Sequence, residues 1–119
     1  SIAQKAALAA LTGPQECVQE MVSAFDRRRR LMVRLLNNIK GISCALPDGA
    51  FYCFADISGT GLGSAVFGER LLEEAHVAVV PGIAFGSEGF VRLSYATGEK
   101  VIVEGLLRMK RWVEGLVDI

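Results

Sequence analysis

The sequence predicts an α+β domain: a small sheet of about three to four short strands covered by helices, preceded by a long N-terminal helix. Three observations carry this expectation. Apolar residues recur at helical spacing at both ends of the chain. Between them lie short runs rich in aromatic and β-branched residues, separated by Gly and Pro. The resulting order is helix, helix, strand, strand, helix, strand, strand, helix.

The elements follow from local chemistry. Ser1 to Leu11 is Ala-rich and helix-forming, and Ser1 with Gln4 fits a capping box. Gly13-Pro14 interrupts, since Gly suits a helix end and Pro the first turn of the next helix. From Pro14 to Lys40 the residues Val18, Met21, Val22, Phe25, Met32, Leu35, Leu36 and Ile39 define one long amphipathic helix, ended by Gly41. Ile42 to Leu46 reads as a short extended segment and Pro47-Asp48-Gly49 as a turn. Ala50 to Ile57 is aromatic-rich and reads as a strand. Ser58 to Gly63 is a loop, and Ser64 is expected to cap a helix to about Ala75 with Phe67, Leu71 and Leu72 on its apolar side. Val77 to Val80 reads as an apolar strand, Pro81 to Gly89 as a loop and Phe90 to Ala96 as a strand. Thr97 is expected to cap the last helix, with Glu99 in its first turn. Val101, Ile102, Leu106, Met109, Trp112, Val113 and Leu116 form its core stripe.

Composition narrows the function classes. The chain has 119 residues, of which 51% are hydrophobic and 22% charged, a globular balance that supports one core. Thirteen basic and thirteen acidic residues leave no net charge, which argues against nucleic acid or anionic lipid as the main partner. No apolar run approaches a membrane span. Cys17, Cys44 and Cys53 are an odd number without CxxC spacing, and His76 is the only histidine. A zinc site or disulfide framework is therefore not expected, the cysteines read as small core residues, and a reducing, cytoplasmic compartment fits. The chain opens on Ser1, which is expected of a processed start or of a domain cut from a longer protein.

One segment, Pro81 to Ala96 (PGIAFGSEGFVRLSYA), concentrates the candidate chemistry. It sets Arg92 inside an apolar strand, where a guanidinium needs an anionic partner or an exit to solvent. Arginine also grips a carboxylate through two parallel hydrogen bonds. Strand alternation puts Val91, Leu93 and Tyr95 on one face and Phe90, Arg92 and Ser94 on the other. Periodicity alone favours a solvent-facing Arg92. Gly82, Gly86 and Gly89 would let backbone approach a ligand closely, although the loop does not match a phosphate-cradling motif. Elsewhere structural roles prevail. Arg27, Arg28, Arg29 and Arg30 fan out over about a turn of helix, with Asp26 and Glu20 near enough for ion pairs. Arg28 or Arg29 can lay its stem along the apolar stripe. His76 reads as a helix C-terminal residue, and Tyr52 and Tyr95 as core aromatics. No nucleophile–base set assembles.

Three segments in register carry a family resemblance: SIAQKAALAALTGPQE with the following FDRRRRLMVRLLN, LPDGAFYCFADI at Leu46 to Ile57, and LLEEAHVAVVPGIAFGSEGFVRLSYATGEKVIVEGLLRMKRW at Leu71 to Trp112. Together they resemble the C-terminal part of class I/II, fold type I, pyridoxal-phosphate aminotransferases, with the nearest likeness to prokaryotic-type aspartate aminotransferases. The resemblance implies that residues 1–119 are the small domain and that the large cofactor-binding domain lies outside this chain. It implies that Arg92 binds the substrate α-carboxylate, fixing the reacting bond relative to the cofactor ring. The implied activity is exchange between an amino acid and a 2-oxo acid, aspartate with 2-oxoglutarate, in a homodimer. The cofactor would be pyridoxal 5'-phosphate in the full-length enzyme. The family's Schiff-base lysine sits in a segment with no counterpart here, because Lys5, Lys40, Lys100 and Lys110 all lie in helical patterns. The chain alone is therefore expected to hold no cofactor and to be inactive. The same motifs would suit an aminotransferase-like sensor domain of a bacterial transcription regulator, or a pyridoxal-phosphate β-lyase.

Overall fold

The computed structural model describes residues 1–117 and shows an α+β arrangement. Its helices are α1 (Ile2–Thr12), α2 (Glu16–Asn37), α3 (Ser64–Ala75) and α4 (Glu99–Val117). Its strands are β1 (Tyr52–Asp56), β2 (Val80–Pro81) and β3 (Phe90–Ser94). The sheet is antiparallel in the order β1-β3-β2, so β3 is central. Its register pairs Phe54 with Arg92 and Arg92 with Val80.

Period-2 alternation divides the sheet into two different faces. Cys53, Ala55, Val91 and Leu93 point into the core. There they meet Met32 and Leu36 of α2, Phe67 and Leu71 of α3, and Ile102, Leu106, Met109 and Val113 of α4. The other face carries Tyr52, Phe54, Phe90 and Arg92, all half-buried, with the Phe85 ring set against Phe54 and Arg92. With the helices of the described residues packed on the core face, this second face can line a site.

Several expectations need correction. Ile42 to Leu46 is not a strand: it makes one isolated bridge, Ser43 with Asp56, and its backbone is held at Cys44 by both ends of the Asn37 amide, at 2.9 Å each. The side chain thus supplies hydrogen bonds that a ladder would otherwise supply. The strand expected from Val77 is only Val80–Pro81, because His76 ends α3 in the left-handed region (φ 57°) and the chain needs the next residues to turn back. Pro81 cannot donate to a ladder, which stops β2 there. The expected Pro81–Gly89 loop contains a 3-10 turn, Gly82–Phe85. Pro14 lies before α2, and the helix stops at Asn37, short of Lys40. The capping box of Ser1 and Gln4 is present.

The apolar stripe of α2 is core only in its second half. Val18, Met21 and Val22 are exposed, as are Ile2, Leu8 and Leu11 of α1. Leu72 and Val101, assigned to apolar stripes, are also exposed. Cys17 is exposed, contrary to a core role, whereas Cys44 and Cys53 are buried. Arg29 tucks its guanidinium onto Asp26 (2.6 Å) and the Pro47 carbonyl (2.5 Å), and Arg30 also pairs with Asp26. The two arginines hold the Asp26 carboxyl below its usual range. Glu20 forms no ion pair among the described residues.

Candidate active-site arginine and its aromatic cradle

Arg92 stands at the middle of the central strand on the open face of the sheet. Its guanidinium carbon lies 5.2 Å from the centroid of the Phe85 ring and 5.4 Å from that of Tyr52. Both distances fall within the range of a cation–π contact. Among the described residues Arg92 makes no ion pair and no side-chain hydrogen bond. A half-buried guanidinium with five donors and no protein acceptor among the described residues has the chemistry to take an anion through two parallel hydrogen bonds. Tyr52, Phe54, Phe85, Ser87 and Arg92 line a cavity of about 390 Å³ on this face.

The loop that delivers Phe85 is fastened from both sides. Gly82 has no side chain because the Ser87 and Phe90 carbonyls crowd the space a Cβ would need. Gly86 takes φ 76° and ends the 3-10 turn, with its N–H donating to Ile83. The Ser87 N–H closes the loop onto the Gly82 carbonyl at 2.9 Å. Glu88 then ties the loop to the start of α3. Its carboxylate accepts from the Ser64 N–H (2.5 Å), the Ser64 hydroxyl (3.1 Å) and the Gly89 N–H (3.2 Å). These donors hold the Glu88 carboxyl below its usual range, the Ser64 backbone first among them. Ser64 is therefore not the cap expected of it. Gly63 occupies that position, and the Ser64 side chain bridges Glu88 and the Ile83 N–H. At the far end of β3, Gly98 accepts the first α4 bond from Ile102, so α4 begins at Glu99 and Gly98, not Thr97, precedes it.

The rings are ordered as well. Phe54 meets Phe85 edge-on (6.2 Å, 74°) and stacks on Phe90 (5.0 Å, 6°). Tyr52, expected in the core, is instead a wall of the cavity, whereas Tyr95 is fully buried. The Tyr95 hydroxyl donates to the Ala50 carbonyl at 2.8 Å, and burial pushes its pKa up. The structure brings the Arg92 expected from the sequence together with Phe85, from the loop expected to lie near it, and with Tyr52; the tie made by Glu88 carried no signal in the sequence. Tyr52 and Phe54 do share a face by alternation, yet nothing in the linear order says which strand they pair with.

The chain's own residues do not fit a pyridoxal phosphate. No lysine lines the cavity: Lys5 is on α1, Lys40 follows α2, and Lys100 and Lys110 are on α4, the last within 3.9 Å of Glu114. No group of three or more His, Cys, Asp or Glu is placed to hold a metal among the described residues. None of the described helices is long and apolar enough to cross a membrane.

Comparison with known proteins agrees with this architecture. The sequence profile of aminotransferase class I and II matches residues 1–108. An aspartate aminotransferase of Streptomyces avermitilis is 47% identical over 122 residues, covering 94% of this chain and 30% of that protein. The solved aspartate aminotransferase of Rhizobium meliloti superposes with a TM-score of 0.89 at 44% identity, over 95% of this chain and 31% of that one. An aromatic aminotransferase of Pyrococcus horikoshii gives a TM-score of 0.91 at 44% identity, over 98% of this chain and 32% of its own. This chain thus spans about three-tenths of the length of such relatives. With nearly all of its length matched in sequence and in fold, the chain belongs to the aminotransferase class I and II family.

Proposed function

We propose that this chain is the C-terminal small domain of a pyridoxal-phosphate-dependent aminotransferase and that Arg92 grips the α-carboxylate of the substrate. The observation that carries the reading is the guanidinium itself: half-buried, flanked by two rings, free of any protein acceptor among the described residues and open to a cavity. Two parallel N–H donors on a rigid plane match a carboxylate in both spacing and charge. Such a clamp limits rotation of the substrate about its reacting carbon. The substrates would be an amino acid and a 2-oxo acid; aspartate is the amino acid that the relatives' names print, and 2-oxoglutarate is the partner acid we propose with it. Pyridoxal phosphate would supply the electron-withdrawing chemistry and would be held by polypeptide outside residues 1–119. The working enzyme would be a cytoplasmic homodimer without a nucleic-acid or membrane partner, and the 119-residue chain alone would not transaminate.

The test is Arg92→Leu in the full-length enzyme. Removing two charge-assisted hydrogen bonds costs about 3 kcal/mol or more, at least about a hundredfold in kcat/KM. Cofactor absorbance should be unchanged, since no cofactor contact is assigned to Arg92. Wild-type kcat/KM in the variant would overturn the assignment.

A further inference from the structure

We propose that Phe85, working with Tyr52, is the positioning residue that holds the Arg92 fork ready for its carboxylate; the inference rests on the reading of Arg92 given above. A guanidinium on a long side chain must be restrained if it is to bind without a large loss of rotamer freedom. An aspartate or glutamate would restrain it, but that carboxylate would compete with the ligand for the same N–H donors. Aromatic rings solve this differently. They attract the cation through their π faces and take none of its hydrogen bonds. Arg92 has two such rings, at 5.2 Å and 5.4 Å, and no acceptor among the described residues.

Phe85 is the more informative of the two. Its ring stands on the open face of the sheet and is the nearer of the two to the Arg92 guanidinium, at 5.2 Å. Its ring is steadied by the edge of Phe54, which in turn stacks on Phe90. Its backbone is steadied by the 3-10 turn and by the Glu88–Ser64 tie. The loop therefore has one rigid product, a ring placed against Arg92.

The experiment compares Phe85→Leu, Phe85→Tyr and Arg92→Leu in the full-length enzyme with its cofactor, using aspartate and 2-oxoglutarate in steady state. Leucine keeps apolar bulk but has no π face. Phe85→Leu should raise KM for both substrates by about five- to thirtyfold, the range of a partly desolvated cation–π contact. Its kcat should fall by less than about threefold, because the lost contact serves ground state and transition state alike. Phe85→Tyr should return KM to within about twofold of wild type. If Arg92→Leu is crippled while Phe85→Leu keeps wild-type KM, the positioning role is wrong and the reading of Arg92 stands. The role is equally wrong if Phe85→Leu lowers kcat and thermal stability without moving KM, or if tyrosine fails to rescue. If Arg92→Leu keeps wild-type kcat/KM, the underlying reading fails first.

Discussion

Gly82→Ala probes the part of the loop that has no slack. A Cβ at Gly82 would sit 2.5 Å from the Phe90 carbonyl oxygen and would also collide with the Ser87 carbonyl. Both obstacles are backbone, one of them in β3, so neither can swing aside as a side-chain tip would. The φ of Gly82 is not positive, so the whole effect is steric. Overpacking of this kind costs about 1–3 kcal/mol. Unfolding entropy of about 2 cal/mol/K per residue over 119 residues amounts to about 0.25 kcal/mol/K, so Tm should fall by about 4–12 °C. Gly49→Ala is the control: a Cβ there meets nothing within 4 Å and the φ is not positive. It should leave Tm unchanged or raise it slightly by restricting the unfolded chain. Thermal melts followed by circular dichroism on the two variants and the parent give the comparison directly. A Gly82→Ala melt within about 1 °C of the parent, or equal shifts at both positions, would refute the steric argument.

Two further outcomes follow from the charges and thiols. Glu88 has its carboxyl held below the ordinary value of 4.5, so its contribution to stability is present above that value and is lost as pH falls through the lowered folded-state pKa. Glu88→Gln should therefore lower Tm at pH 7, and the gap from the parent should narrow on acidification below the usual glutamate range; a gap constant from neutral to acid pH would contradict this. For the cysteines, native protein at pH 8 should show one thiol, Cys17, reacting rapidly with a disulfide reagent, while Cys44 and Cys53 react only on unfolding. The hydrogen bond with the neighbouring Cys44 thiol, and then burial, push the Cys53 thiol up, which reinforces its protection. Mass spectrometry of the labelled peptides identifies the site, and rapid native labelling of Cys53 would show that the sheet's core face is open.

Much of the secondary structure was legible because it depends on neighbours in sequence. The capping box at Ser1, the end of α3 at Ala75 with His76 following it, and the in–out alternation of Phe90 to Ser94 each need only a few residues of context. Ile42 to Leu46 was not legible, because its backbone partner is the side chain of Asn37 and not a strand. Ser64 was misread for the same reason: its expected capping role depends on near neighbours, whereas its real partner, Glu88, lies 24 residues away.

The sequence by itself determined the α+β class, most of the core positions of α3, β3 and α4, the family, and the presence of an arginine on the mixed face of a strand. Periodicity could not say what that face meets, since a period of two reports only which side chains travel together. The tertiary structure decided it. Antiparallel pairing set Phe54 opposite Arg92, the 82–89 loop folded Phe85 back over the same face, and the helices covered the other side. The physical reason is that a cation's environment is built by residues distant in the chain. Only their packing sets two aromatic rings against the Arg92 guanidinium.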